Sequence, residues 1–198
     1  MKASPTGAVK RLVLVLTSVG VISLAGGCMS TQSPVSSAPA SESLGLSGAK
    51  VAVLPFSGAP EHPDTGQSAR EISTARLVKS YRVSLVSPYK VEAYCKHESI
   101  RPTEHDQKRL EAAAKALGAD VLIWGTVNKF TPYRFVRQSP ATPPFVDITL
   151  YGLRLGRPGV TRITGQKQGG TPDTVWSRPP TFEDVAQSLI AELLVRMR

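Results

Sequence analysis

Two short apolar runs constrain this chain more than anything else in it. Val51-Ala52-Val53-Leu54-Pro55-Phe56 and Val121-Leu122-Ile123-Trp124-Gly125-Thr126-Val127 contain no charge and almost no alternation. A strand with one wet face alternates apolar and polar side chains. A run without alternation belongs to a strand covered on both faces. The chain must therefore build a sheet with helices on its two sides.

The residues between the runs supply those helices. Ser57–Gly66 is rich in Gly and Pro and reads as a loop. Residues 67–80 place Ile72, Leu77 and Val78 where a helix can turn them to a core. Val83–Val86 reads as a second strand stopped by Pro88, and 89–96 as a short helical turn. A further helix follows, with Thr103 as its cap, Glu104 and Asp106 near its positive end, and Gly118 just past its last turn. Leu110, Ala113, Ala114 and Leu117 form its apolar stripe. Two strand–helix–strand steps in succession predict right-handed parallel crossovers.

Beyond Lys129 the pattern changes. Residues 131–144 hold four prolines and read as a loop. Val146, Ile148 and Leu150 alternate with polar partners, then the phase moves to Leu153 and Leu155, which predicts a bulge at Gly152. Residues 160–168 form a polar edge strand, and Val175-Trp176 a short further strand. The last helix, 181–198, has Thr181 and Asp184 at capping-box spacing and an apolar line of Phe182, Val185, Leu189, Leu193 and Met197. The expected fold is a single-domain α/β sandwich with a mixed sheet, in the order β-α-β-α-β-β-β-α.

That domain occupies residues 50–198. Residues 1–27 read differently: Lys2, Lys10 and Arg11 precede an apolar stretch from Leu12 to Ala25, followed by Gly26 and Gly27. Fourteen helical residues span about 21 Å, short of the roughly 30 Å bilayer core. This is the layout of a secretory signal peptide. Leu24-Ala25-Gly26-Gly27-Cys28 also resembles a bacterial lipobox, with Ala25 at a position where Leu is commoner. The resemblance implies cleavage after Gly27 and a covalent lipid on Cys28. Met29, in place of an Asp, implies the outer membrane, with the domain in the periplasm. Residues 28–49 are the lipidated end and a Ser/Ala/Pro tether in which only Glu42 is charged. Such composition cannot offset its ordering entropy. Twenty-one residues after Cys28 reach at most about 70–75 Å.

The wording of the folded part resembles a known group. Val51–Phe56, then Leu117-Gly118-Ala119-Asp120 leading into Val121–Val127, then Thr174-Val175-Trp176-Ser177 before a closing helix, are similar to the periplasmic domain shared by four kinds of protein. These are the curli-export lipoprotein, the Pel polysaccharide-export lipoprotein, the N-terminal domain of TolB, and lipoprotein activators of penicillin-binding proteins. The motifs are structural and speak to fold before function. Long alternating segments of the kind that build the curli pore are missing from the sequence, so no transmembrane barrel is expected from this chain alone.

Chemistry-bearing residues are few. Cys95, His97 and His105 fit no standard zinc spacing. His62-Pro63-Asp64 sits in the first strand–helix loop, where ligands of open α/β sheets often bind. No Gly-rich phosphate loop and no Gly-x-Ser-x-Gly elbow is present. The reading is a protein that is not an enzyme and needs no cofactor or metal.

The formal charge is +9. Without residues 1–27 it is +6, and the excess falls between Lys129 and Lys167. Lys129, Arg134, Arg137, Arg154, Arg157, Arg162 and Lys167 there face Asp147 alone. In the periplasm that points away from nucleic acid and toward anionic lipid headgroups or an anionic polysaccharide. The expected role is a homo-oligomeric subunit of an export or envelope-biogenesis assembly working with other envelope proteins. A regulator of a murein synthase is the second reading, and a periplasmic hydrolase using His62 the third.

Overall fold

A computed structural model describes residues 43–198, apart from 102, 137–138 and 172–177. The chain runs β1 (Lys50–Val53), α1 (Thr65–Tyr81), β2 (Ser84–Leu85), α2 (Pro88–His97), α3 (Gln107–Leu117), β3 (Val121–Thr131), β4 (Arg134–Val136), β5 (Ser139–Thr142), β6 (Phe145–Arg154), β7 (Thr161–Gln168) and α4 (Phe182–Arg196). The main sheet has the order β2-β1-β3-β6-β7. β1 is parallel to β2 and β3, while β6 is antiparallel to β3 and β7. This is the mixed α/β sheet the sequence predicts.

The covering helices follow from the chain path. From β1 the chain steps one way to β2 and then back past β1 to β3. Right-handed crossovers taken in opposite directions put α1 on one face and α2 with α3 on the other. α1 packs on β3 and α4, and α4 packs on β6 and β7; α2 and α3 pack on β1, β3 and each other. Val121 to Gly125 are therefore all buried.

Directly paired residues share a face, so Ile123, Gly125 and Val127 lie beside Gly152, Leu150 and Ile148 under α1 and α4. Two glycines make this layer possible. A Cβ on Gly125 would sit 2.7 Å from the Phe56 ring, and one on Gly152 would sit 2.2 Å from Leu44 Cδ1. No bulge occurs at Gly152, which pairs on both sides with Ile123 and Thr161. The apolar phase shifts there because both faces of β6 are covered at that end. The irregularity in the ladder lies on β3 instead, between Val127 and Lys129.

Other expectations shift in detail. α1 turns Ala69, Ser73 and Leu77 to the core, whereas Val78, one residue and so about 100° round the helix from Leu77, is 49% exposed. The turn expected at 89–96 is a ten-residue helix with Pro88 in its first turn, where the missing N–H costs nothing. Thr103 is not the cap of α3. Asp106 is, accepting from the Lys108 N–H at 2.9 Å and the Arg109 N–H at 3.5 Å. Gly118 closes that helix in the left-handed region, φ 65°. Part of the expected loop at 131–144 pairs as a β4–β5 ribbon. Val175 and Trp176 lie outside the described residues. α4 carries the expected capping box between Thr181 and Asp184 and buries its whole predicted apolar line.

The largest difference concerns the start of the domain. Residues 43–49, assigned to the tether by composition, belong to the fold. Leu44 and Leu46 are 3% and 0% exposed, and Ala49 is buried. The Leu44 N–H donates to the Met197 carbonyl at 2.9 Å, and the Gly48 N–H to the Tyr81 carbonyl at 3.3 Å. Averaging over a Ser/Ala/Pro stretch concealed two leucines whose burial contributes about 1.5–3 kcal/mol each. The described core lies within Leu44–Met197. Leu46→Ala should lower stability by about 2–5 kcal/mol, read as a lower urea midpoint with an unchanged slope.

Candidate functional site

Cys28 and Gly27 lie outside the described residues, as does Arg137. The other basic residues of 129–167 are placed in separate groups. At the far end of the hairpin, Lys129 sits 5.8 Å from the Phe145 ring centroid, Arg134 is exposed on β4, and Lys167 is ion-paired with Glu192. Arg162 lies 5.9 Å from the Tyr151 ring centroid. Arg154 and Arg157 are at the β6–β7 turn and point to the start of the domain. Arg154 donates to the carbonyls of Leu44 at 2.6 Å and Gly45 at 2.8 Å, and Arg157 donates to the Ser43 carbonyl. These two guanidiniums pin the incoming chain.

Cys95, His97 and His105 have different surroundings. Cys95 is buried, and burial raises its thiol above the ordinary range, so it stays protonated. His97 is exposed with Nδ1 2.9 Å from Glu98. His105 packs on Tyr151, ring centroids 4.9 Å apart, and Tyr151 stacks on Trp124 at 5.5 Å. Among the described residues, no group of three or more His, Cys, Asp or Glu is arranged to hold a metal ion.

The His62 loop opens on a groove of about 370 Å³, formed where the N-terminal ends of α1 and α4 meet the end of β3. His62 is edge-on to Phe130 at 5.1 Å, and Phe130 is edge-on to Phe182 at 5.3 Å. Tyr133 and Ser68 complete this wall, and Ser68 donates to Glu183 at 3.1 Å. Hydrogen bonds from the first turn of α4 hold the Glu183 carboxyl below its usual range. Asp184 is held low by the Thr181 N–H and hydroxyl and by Arg178. The groove thus offers aromatic edges beside ionised carboxylates.

One buried charged residue escaped the sequence reading. Arg70, 7% exposed, donates twice to the Val53 carbonyl at 3.3 Å and pairs with Glu92 at 2.7 Å. It satisfies the last carbonyl of β1 and ties α1 to α2. Its one sequence signal is a position next to Ala69 on the helix face that turns inward.

These features describe a mixed α/β domain built around structural polar contacts. No protein-family model and no curated protein matches the chain. Among solved structures, the PelC dodecamer from Paraburkholderia phytofirmans is similar, at TM-score 0.53 and 22% identity, covering 84% of this chain and 99% of that one. The LpoB C-terminal domain from Salmonella enterica aligns at TM-score 0.47 and 11% identity, covering 62% of this chain and 84% of that one. Lipoprotein GNA1162 from Neisseria meningitidis aligns at 0.45 and 12%, covering 64% and 85%. The Pel lipoprotein group expected from the sequence is thus among the structural neighbours, and the likeness to PelC shows a shared fold. No helix among the described residues is long and apolar enough to cross a membrane.

The carboxylates at the start of α4 set a pH dependence. Their folded pKa values lie below the unfolded ones, so their stabilisation is complete above the unfolded carboxylate range of about 4. It is lost as pH falls through the lower folded values. Asp184→Asn should flatten that acid limb in a thermal-melt series from pH 7 to pH 2.

Proposed function

We propose that this chain is an outer-membrane lipoprotein, anchored through Cys28 after cleavage behind Gly27, whose periplasmic domain is a non-catalytic subunit of an export or envelope-biogenesis assembly. The observation that carries this reading is the likeness to PelC over 84% of the chain, joined to the lipobox pattern at Leu24–Cys28. PelC is a dodecamer. A ring of copies of this chain has suitable contact elements in the outer edge of β7, which among the described residues pairs only on its β6 side, and in the β4–β5 ribbon.

The murein-synthase reading loses ground on distance. Packing of Ser43–Ala49 leaves fourteen residues between Cys28 and the domain. They reach at most about 46–50 Å, and about 20 Å as a coil. That favours work close to the membrane. A hydrolase remains third, tested by loss of activity in His62→Ala.

Cys28→Ser should abolish palmitate labelling and release the protein from the outer-membrane fraction; continued membrane fractionation overturns the anchor. The chain from Thr31 should self-associate at high concentration or when tethered on liposomes, measured by sedimentation velocity and crosslinking. A monomer under both conditions overturns the ring.

A further inference from the structure

We infer that the pole of the domain where residue 43 joins the fold is a docking surface for anionic phospholipid headgroups. This rests on the reading of Cys28 as a membrane anchor, and it names the surface that the anchor brings to the bilayer.

The pole is defined by backbone contacts. Ser43–Ala49 crosses the C-terminal ends of α4, through Leu44 and Met197, and of α1, through Gly48 and Tyr81. It continues into Lys50, whose N–H donates to Asp120 Oδ2 at 2.8 Å just past the end of α3. The β6–β7 turn closes the same end through Arg154 and Arg157. Three helix ends, the start of β1 and one turn therefore share a surface.

Cations crowd it. Lys50, Arg82, Lys115, Arg157, Arg196 and Arg198 are all exposed there, and none is ion-paired with a described carboxylate. Against these six cations stand the side-chain carboxylates of Asp120 and Glu111, which accept from the Lys50 N–H and from Gln107, keep their negative charge and are outnumbered. Attraction to helix C-terminal dipoles accounts for Lys115 and Arg196. The Lys50 ammonium also lies at the C-cap of α3, 3.6 Å from where a Cβ on Gly118 would stand, and Arg157 holds the Ser43 carbonyl; both contacts are to neutral backbone and leave the cation's charge uncompensated. Arg82 has φ 51°, a backbone conformation that favours glycine, yet the position carries a cation. Val78 and Val195, 49% and 63% exposed, lie in the last turns of α1 and α4 among these charges. Cations around isolated aliphatic groups suit a phosphate-bearing interface.

Position selects the occupant. Arg154 and Arg157 grip the chain at Ser43–Gly45, so the tether leaves from this pole and no other. Fourteen residues lead from here back to Cys28, so no other part of the domain is joined to the proposed anchor by a shorter stretch of chain. The surface is invisible in segment sums, because residues 28–128 carry a net charge of only +1.

The test uses the chain from Thr31, which holds the entire described core and lacks Cys28. It should float with phosphatidylglycerol-containing vesicles at low salt, and not with pure phosphatidylcholine vesicles. Binding should disappear near 0.5 M salt, where screening is short-ranged. Arg82→Glu/Lys115→Glu/Arg198→Glu should weaken binding by about a hundred-fold or more. Lys129→Glu/Arg134→Glu, reversals at the far end, should change it by less than about three-fold, with circular dichroism and melting confirming folded variants. Absence of flotation, equal flotation on phosphatidylcholine, or equal loss per charge in both variants overturns the proposal. Binding that is unaffected by the triple variant and instead requires another envelope protein also overturns it. Because Cys28 is absent from this experiment, failure here leaves the anchor reading to stand or fall on palmitate labelling of Cys28→Ser.

Discussion

The structure depends on β3 serving two unlike neighbours. On one side it continues a parallel βαβ sequence through β1; on the other it opens an antiparallel meander through β6 and β7. A strand in that position has no wet face, which is why Val121–Gly125 are all buried and why the sheet needs helices on both sides. α1 and α4 cover one face, and α4 can lie there only because Gly152 leaves room for Leu44 and Met197 beneath it. The groove beside His62, the Trp124–Tyr151 stack and the clasp at Ser43 are all arranged around this strand.

Much of the fold was legible in the sequence where one physical signal dominated. β1 and β3 were readable because uninterrupted apolar runs have few alternatives, and α4 because its stripe and capping spacing agree. Signals that compete locally were misread. Thr103 and Asp106 can both cap a helix, and only the path of the chain after Pro102 decides between them. A phase change at Gly152 looks like a bulge until both faces of β6 are known to be covered. Leu44 and Leu46 vanished inside a polar average, although two leucines separated by one glycine can each reach a core. Arg70 could not be told from a solvated helix arginine, since its partners, Val53 and Glu92, are 17 and 22 residues away.

Charge shows the same difference between counting along the chain and counting in space. The segment 129–167 holds most of the excess, but its cations are distributed over both ends of a hairpin, and several are occupied. Arg154 and Arg157 hold carbonyls, Lys167 has Glu192, and Lys129 and Arg162 lie near aromatic rings. Stretches that are nearly neutral in sequence contribute Lys50, Arg82 and Lys115 to one pole. Elements that start and stop at the same end of the sheet bring them together.

The hydrogen bond between Leu44 and Met197 sets the first and last folded segments side by side. Anything fused after Arg198 therefore emerges in the space beside Ser43, where the chain enters the domain. A reporter or affinity tag placed there crowds the segment through which the chain enters. The β4–β5 ribbon, at the opposite end of the sheet and away from both segments, is the site where an inserted label would leave that space clear.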